Sequence, residues 1–382
     1  MPDTSDLIVL IVVIAARLLV PLAIPRYPIP AGIAALVIDG VDQTIFQTFT
    51  KLPLAGYQSY DKALDIYYLS VEYLATLRNW SVLAAVTMSR FLFYYRLVGV
   101  LLFELLHLRA LLLFFPNTFE YFFLFYEAVR LRWNPKRLGV TGVLISTFAI
   151  WVFIKIPQEY WIHIAQMDVT DTLKEQVFGV ALDTSWGTIV SENLMPILGF
   201  VIVVLLLLGA ARSYVVNHLP PADWSFSFDV DAHGSDVSAE EVLAARRASA
   251  QRLWDAELVE KIALVALMTI IFSRILPNTQ ASPISVAIGV AAIIVANTVV
   301  TEFLVRVGVS WASSGREFLV MAVVNAVIVA GFYLLMPFTG DRIDIPATLF
   351  FVLLLTLLVT LYDRFRPYYQ VRRERMATVS AA

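Results

Sequence analysis

The chain of 382 residues contains no cysteine, so disulfides, thiolate metal sites and cysteine nucleophiles are excluded. Charge is scarce as well. Only 15% of the residues are Asp, Glu, Lys or Arg, where soluble domains carry about 25%. The net charge of −3 offers no basic surface for nucleic acid. There is no Walker loop, no dinucleotide glycine fingerprint after a strand and no Gly-x-Ser-x-Gly elbow. No histidine pair has haem-ligand spacing on facing helices. ATP-driven transport, serine-hydrolase chemistry, haem and nucleotide cofactors are thereby disfavoured. What fills the chain is apolar: 59% of it is hydrophobic, with runs approaching the roughly 20 residues that cross a hydrocarbon core. It reads as a multi-pass protein of the cell inner (plasma) membrane, with membrane lipids for partners.

The expected fold class is all-α, a polytopic membrane bundle of about eleven transmembrane helices. Apolar runs predict helices near 7–24, 139–157, 191–212, 258–277, 283–306, 316–337 and 345–362, with Pro25, Pro157, Pro277 and Pro337 closing four of them. A more polar, aromatic-rich stretch predicts helices near 29–49, 57–78, 82–108 and 117–132, broken at Pro53–Gly56 and at Pro116–Asn117. The opening "MPDTSDLIVL" lacks a basic n-region, so the first apolar run is expected to stay as a membrane helix. Basic residues collect in "RLRWNPKR", in 212–261 and in "DRFRPYYQVRRERM". The positive-inside rule puts these in the cytoplasm, with the C-terminus inside and the N-terminus outside.

Five regions follow: a polar aromatic-rich membrane half, 1–157; an extracytoplasmic amphipathic loop, 158–190; a transmembrane helix, 191–212; a cytoplasmic insert, 213–257; and a C-terminal four-helix half with a basic tail, 258–382. Within the insert, the alternation in "WSFSFDVD" predicts a half-buried strand, and Ser238 with Glu241 predicts a capping box opening a helix. The spacing in "DVDAHGSDVSAE" only partly follows a calcium loop and reads as a polar turn. The aromatics of "FFPNTFEYFFLFYE" are expected to form an interfacial belt.

Chemistry concentrates in "VIDGVDQTIFQ" and "YDKALD". Asp39 and Asp42 are spaced i, i+3, and Asp61 and Asp65 are spaced i, i+4, so each pair shares a helix face. Two such faces meeting make an all-oxygen site suited to Mg²⁺, Mn²⁺ or Ca²⁺ and not zinc, with Mg²⁺ or Mn²⁺ the expected cofactor. Carboxylates in the hydrocarbon zone are expensive and face a bundle interior or a wet cavity. Four unpaired carboxylates repel, so a cation is required: a metal, protons, or Lys51, Lys62, Arg90 or Arg96. The competing expectation is that the four act only as caps and salt-bridge partners.

This acidic spacing resembles the signature of CDP-alcohol phosphotransferases, Asp-x-x-Asp-Gly-x-x-Ala-Arg followed by Gly-x-x-x-Asp-x-x-x-Asp. In that family the four aspartates bind two divalent cations and the last serves as base. The resemblance therefore implies metal binding by Asp39, Asp42, Asp61 and Asp65, with Asp65 catalytic. Gln43 stands where that signature has glycine, Phe46 and Gln47 where it has Ala-Arg, and Gly56 is one residue out of place. More of the chain, from "YDKALDIYYL" through "YRLVGVLLFE" to "FPNTFEYFFLF", is similar to a set of prokaryotic polytopic membrane proteins with no activity assigned.

A second cluster, "YYRLVGVLLFELLHLR", holds Arg96, Glu104, His107 and Arg109, with Glu104 and His107 at i, i+3. That pair suits a proton path, and Arg90 with Arg96 suit a phosphate or lipid headgroup. Three functions are expected from these residues. The first is a divalent-metal-dependent transferase acting on a lipid or polyprenyl phosphate. The second is a proton- or cation-coupled transporter or channel, and the third a membrane assembly protein without turnover.

Overall fold

The computed structural model describes residues 4–51, 57–165, 172–234, 236–250, 256–275, 314–339 and 345–381, with isolated positions between 292 and 299; among these there is no β-strand. Helix α1 (Thr4–Leu19) continues through a 3-10 turn (Val20–Ala23). The chain reverses at Pro25, and α2 (Pro28–Phe49) begins on proline, whose fixed φ suits a first helical turn. Next come α3 (Tyr57–Asn79), α4 (Leu83–Leu106), the short α5 (Ala110–Phe114) and α6 (Thr118–Arg130). Helix α7 (Gly139–Ala149) runs on through π-helical Ile150–Lys155, an α-turn at Ile156–Glu159 and π-helical Tyr160–Ile164. The remainder are α8 (Trp186–Glu192), α9 (Leu194–His218), α10 (Ala239–Ala250), α11 (Ala256–Ile275), α12 (Ser314–Thr339) and α13 (Ile345–Ala381).

Among the described residues, 6 helices are long and apolar enough to span a membrane, which does not confirm the expected count of about eleven: Thr4–Ala23, Pro28–Phe46, Leu83–Leu106, Pro135–Ile164, Leu194–His218 and Thr348–Thr378. The expected helix 283–306 and the break at Pro53–Gly56 lie outside the described residues. Helix α6 is too short, at 13 residues. Helix α3 is long enough but too polar, and the reason lies in its surroundings. It touches α1, α2, α4, α6, α11 and α13, and from Ala63 to Leu77 nearly every side chain is buried. A helix enclosed by protein does not meet lipid, so it can carry polar groups whose partners its neighbours supply. Helix α9 is the opposite case: it is strongly apolar, yet Met195, Phe200 and Leu206 are exposed. In water such a face would be a liability; in a bilayer it is the ordinary one.

One cluster of buried side chains runs from Ile24 through α3, α4 and α6 to Phe365 and Tyr369 of α13. Four expectations change at this level. Four aromatics of "FFPNTFEYFFLFYE" are core rather than an interfacial belt: Phe119, Phe122, Phe123 and Tyr126 are fully buried, while Phe114 stays exposed, and the Tyr126 ring lies tilted against Trp80 with centroids 4.0 Å apart. Burying rings of that size stabilises more than leaving them at an interface. Pro157 does not end its helix, because the preceding π-helical turn shifts the hydrogen-bond register around the missing N–H. The segment "WSFSFDVD" forms no strand: it is irregular, with bends at Trp224 and Phe228, and enters a 3-10 turn at Val230. The expected basic tail is instead the last part of α13, which continues past Pro367 to Ala381.

The insert is held down by charge. Asp229 receives Arg26, at 3.1 and 2.9 Å, and Arg78 donates to Asp231 at 2.6 Å. Asp236 receives Arg372 in bidentate fashion, Asp223 receives Arg137, and Glu241 receives Arg375. Asp229, Asp231 and Asp236 of the loop "DVDAHGSDVSAE" are thus bound to arginines. The capping box forms as expected: Ser238 N donates to Glu241 Oε2 at 2.8 Å, and Glu241 N to Ser238 Oγ at 3.3 Å. The hydrogen bond from Arg26 holds the Asp229 carboxyl below its ordinary range. Burial pushes Asp236 up, but Arg372 more than offsets it and the net shift is down. The Ser238 N–H, and then Arg375, hold Glu241 at about 2.

A carboxyl held below its unfolded value contributes stability that is present at neutral pH and lost as pH falls. For Glu241 that loss runs from 4.5 down to about 2. Hydrogen-exchange protection factors in 219–250, taken against the intrinsic rate at each pH, are therefore expected to fall across this window while those in the interior of α3 hold. An equal fall in both would mean the insert is not held by these pairs.

Candidate functional site

Beyond its first turn (Thr4, Ser5, Asp6) helix α1 is apolar except for Arg17 in its last turn, and that residue organises the site. Arg17 is 3% exposed at its side chain. Its Nη1 donates to Asp42 Oδ2 and Asp61 Oδ1, and its Nη2 donates to Asp39 Oδ1 and Asp65 Oδ1. A planar guanidinium with donors fanned in one plane is the side chain suited to this task; an ammonium is a point charge. The i, i+3 and i, i+4 spacings on α2 and α3 do place each pair on one face, and α1 packs against both helices. All four aspartates predicted from the sequence therefore meet.

The four carboxylates are not equivalent. Asp42 is as buried as Arg17, at 3%, while Asp39, Asp61 and Asp65 keep 26%, 36% and 39% of their side chains accessible. The three outer residues each offer an oxygen within 4.8 Å of the others. Asp42 with Arg17 forms an inner pair, and the outer three form an acidic rim. Counted formally, four carboxylates meet one guanidinium, so the fully ionised site is short of positive charge. Asp39, Asp61 and Asp65 are the residues placed to hold a metal ion or protons.

The other predicted residues go elsewhere. Arg90 does not reach the aspartates: its Nε lies 3.0 Å from Glu260 Oε1 and 3.1 Å from the Tyr73 hydroxyl, with its guanidinium over the Tyr369 ring. Arg96 donates to the Phe115 carbonyl at 3.1 Å. The arginines of α4 thus answer α11 and a loop, because α4 packs against those elements and the face of α3 bearing the aspartates turns toward α1 and α2. Glu104 accepts from Lys62 at 2.7 Å and is not directed at His107. His107 is an exposed cap at the end of α4, in the left-handed region at φ 54°.

Arg17 was not among the sequence candidates. Its signal was present: a lone arginine inside the run "LIVLIVVIAARLLVPLAI" is an intramembrane charge that needs a partner. Below the aspartates, toward the insert, lies a second set of acids with no role in the sequence reading. The Tyr68 hydroxyl donates to Glu120, Trp80 Nε1 donates to Glu127 at 2.7 Å, and Arg130 donates to Glu127 at 2.8 Å. Glu72 lies between them, 1% exposed.

No protein-family model, curated protein or solved structure matches the chain. Its function is therefore read from the site.

Proposed function

We propose that this chain is a proton- or cation-coupled transporter or channel of the cell inner (plasma) membrane, with Arg17 and the four aspartates as its coupling site. The observation that carries this reading is one buried guanidinium shared by four carboxylates inside a helical bundle. Such a site takes up protons or small cations to balance its charge, and uptake weakens the hold of the outer carboxylates on Arg17. Release of that hold allows α1, α2 and α3 to move relative to one another, which is the coupling that transport requires. Acidic residues continue along α3 toward the insert end, which the basic residues assign to the cytoplasm. An ion pair serving stability alone would not need three half-accessible acids around it.

The test is flux in proteoliposomes loaded with a pH-sensitive dye, under an imposed potential. Asp61→Asn and Asp65→Asn are expected to abolish or strongly shift the flux while leaving protein level and melting temperature nearly unchanged. Unchanged flux in both variants would overturn the coupling role. The closeness of the Asp39, Asp61 and Asp65 oxygens supports a second reading, the Mg²⁺- or Mn²⁺-dependent transferase acting on a lipid or polyprenyl phosphate. Elemental analysis separates the two. Stoichiometric metal in the purified protein, lost in Asp61→Asn and accompanied by no flux, would favour the transferase.

A further inference from the structure

Among the described residues, five of the seven buried side-chain polar atoms without hydrogen-bond partners gather in one part of the bundle, the other two being Asn325 Oδ1 and Thr348 Oγ1 on α12 and α13. Both carboxylate oxygens of Glu72, the Thr118 and Tyr126 hydroxyls and the Asn117 side-chain oxygen are buried and have no hydrogen-bond partner among the described residues. All belong to α3, or to α6 and its N-cap, and these helices pack together. Helix α2 closes the third side: a Cβ added to Gly32 would lie 3.4 Å from Glu72 Oε1 and 3.3 Å from Leu124. Buried polar groups are almost always satisfied, and an exception calls for an explanation.

The position of Glu72 supplies one. It stands one helical turn from Tyr68 and two from Asp65 on the same face of α3. Glu120 and Glu127 of α6 lie within electrostatic reach of it. The acids therefore form a column: Asp61 and Asp65, then Tyr68 with Glu120, then Glu72, then Glu127 with Trp80. From Asp65 to Trp80 it covers about 22 Å at the helical rise, much of a hydrocarbon core about 30 Å thick.

Among the described residues, the cations near the column are already engaged. Arg17 holds the aspartates, Arg96 the Phe115 carbonyl and Arg130 the Glu127 carboxylate. Lys155 of the π-helical turn after α7 meets Gln158 at 2.9 Å and Glu159 at 3.7 Å, and Glu159 also pairs with His163. No charged side chain on these elements reaches the oxygens of Glu72. What meets them must be small and mobile, a proton or a water molecule held by the neighbouring hydroxyls.

We propose that Glu72 is a proton-relay station in a hydrated seam between α2, α3 and α6, joining the four-aspartate site to Glu127 at the insert end. This rests on the coupling site described above. A proton leaving the aspartates passes the Tyr68–Glu120 pair and forms an O–H bond on Glu72. That bond breaks as the proton goes on through water to Glu127, and each carboxyl returns to its starting state.

The experiment uses the full chain in proteoliposomes, with wild type, Asp65→Asn and Glu72→Gln measured together. If wild type carries proton flux, Glu72→Gln is expected to fall to the level of empty liposomes at an unchanged melting temperature, and Glu72→Asp to keep part of the flux. Flux in Glu72→Gln equal to wild type, with Asp65→Asn silent, overturns the relay and leaves the aspartate site standing. No proton flux in wild type overturns the relay and the proton form of the coupling site, and leaves only its cation form standing. Should Glu72→Gln fail to fold, the double variant Thr118→Val/Tyr126→Phe removes the hydroxyls that hold the water. Reduced flux there supports the seam, and undiminished flux overturns it.

Discussion

Replacing Arg17 with glutamine is expected to cost about 3–5 kcal/mol, the loss typical of removing one partner from a buried ion pair. The cause is what the substitution leaves behind. Asp42 is 3% exposed and would keep its carboxylate in the bundle with three others beside it and no cation. Amide N–H groups satisfy fewer of the four acceptors and carry no charge. Arg17→Lys should lie between the two, because three donors on one nitrogen cannot span carboxylates on two helices. Asp42→Asn in the Arg17→Gln background should restore part of the loss, since it removes the most buried of the stranded charges.

The outer acids should behave in the opposite way. Asp61 and Asp65 keep more than a third of their side chains accessible, and each stands among other carboxylates. Removing one relieves repulsion as well as deleting a bond, so Asp61→Asn and Asp65→Asn should change stability little. Thermal unfolding in detergent, followed by circular dichroism, checks all of these variants. Arg17→Gln with a wild-type melting temperature would show that the four carboxylates do not depend on the guanidinium. They would then have another source of positive charge, and a bound metal ion becomes the first place to look.

The second large effect is expected at Arg372. Its Nε and Nη2 hold Asp236, at 2.9 and 2.6 Å, and its Nη1 reaches the carbonyls of Arg78 at 2.8 Å and Trp80 at 3.2 Å. Helix α3 ends at Asn79, so Arg372 caps the C-terminal carbonyls of the central helix from the far end of the chain. A cation is favoured there by the helix dipole and by orphan acceptors. Arg372→Met keeps the apolar stem and removes the guanidinium. On the order of 3 kcal/mol should be lost, as buried carbonyls and Asp236 are left without a donor. The insert should also become accessible to protease, because Asp236 is one of its anchors. Arg373 lies next to it but is exposed, and Arg373→Ala should stay within about 0.5 kcal/mol of wild type. A chain truncated before Arg372 that still folds with a protected insert would overturn the capping role.

Arg17 and Arg372 divide what could be read early from what could not. The i, i+3 and i, i+4 spacings of Asp39, Asp42, Asp61 and Asp65 are local, because a helix converts a three- or four-residue offset into a shared face wherever it sits. The membrane class, the capping box at Ser238 and most helix positions were legible for the same reason: each depends on neighbours within about one turn. Pairing is a different kind of property. That Arg17 rather than Arg90 or Arg96 answers the aspartates depends on which helices touch. So does the burial of "FFPNTFEYFFLFYE" around Trp80, which the same residues could equally have spent on a membrane interface.

Composition and local period by themselves determined that this chain is helical, that several helices are apolar enough to cross a membrane, and that four aspartates share helix faces in pairs. Tertiary packing decided that α3, one of the less apolar helices, is the centre, with most side chains from Ala63 to Leu77 enclosed by protein and Glu72 among them. It also decided that a single arginine from α1 completes the site, and that the end of α13 returns to cap α3. The physical reason is range. Hydrogen bonds within a helix reach one turn, whereas the cost of an unpaired charge in a bundle is met by whichever helix can bring a partner, however distant in sequence.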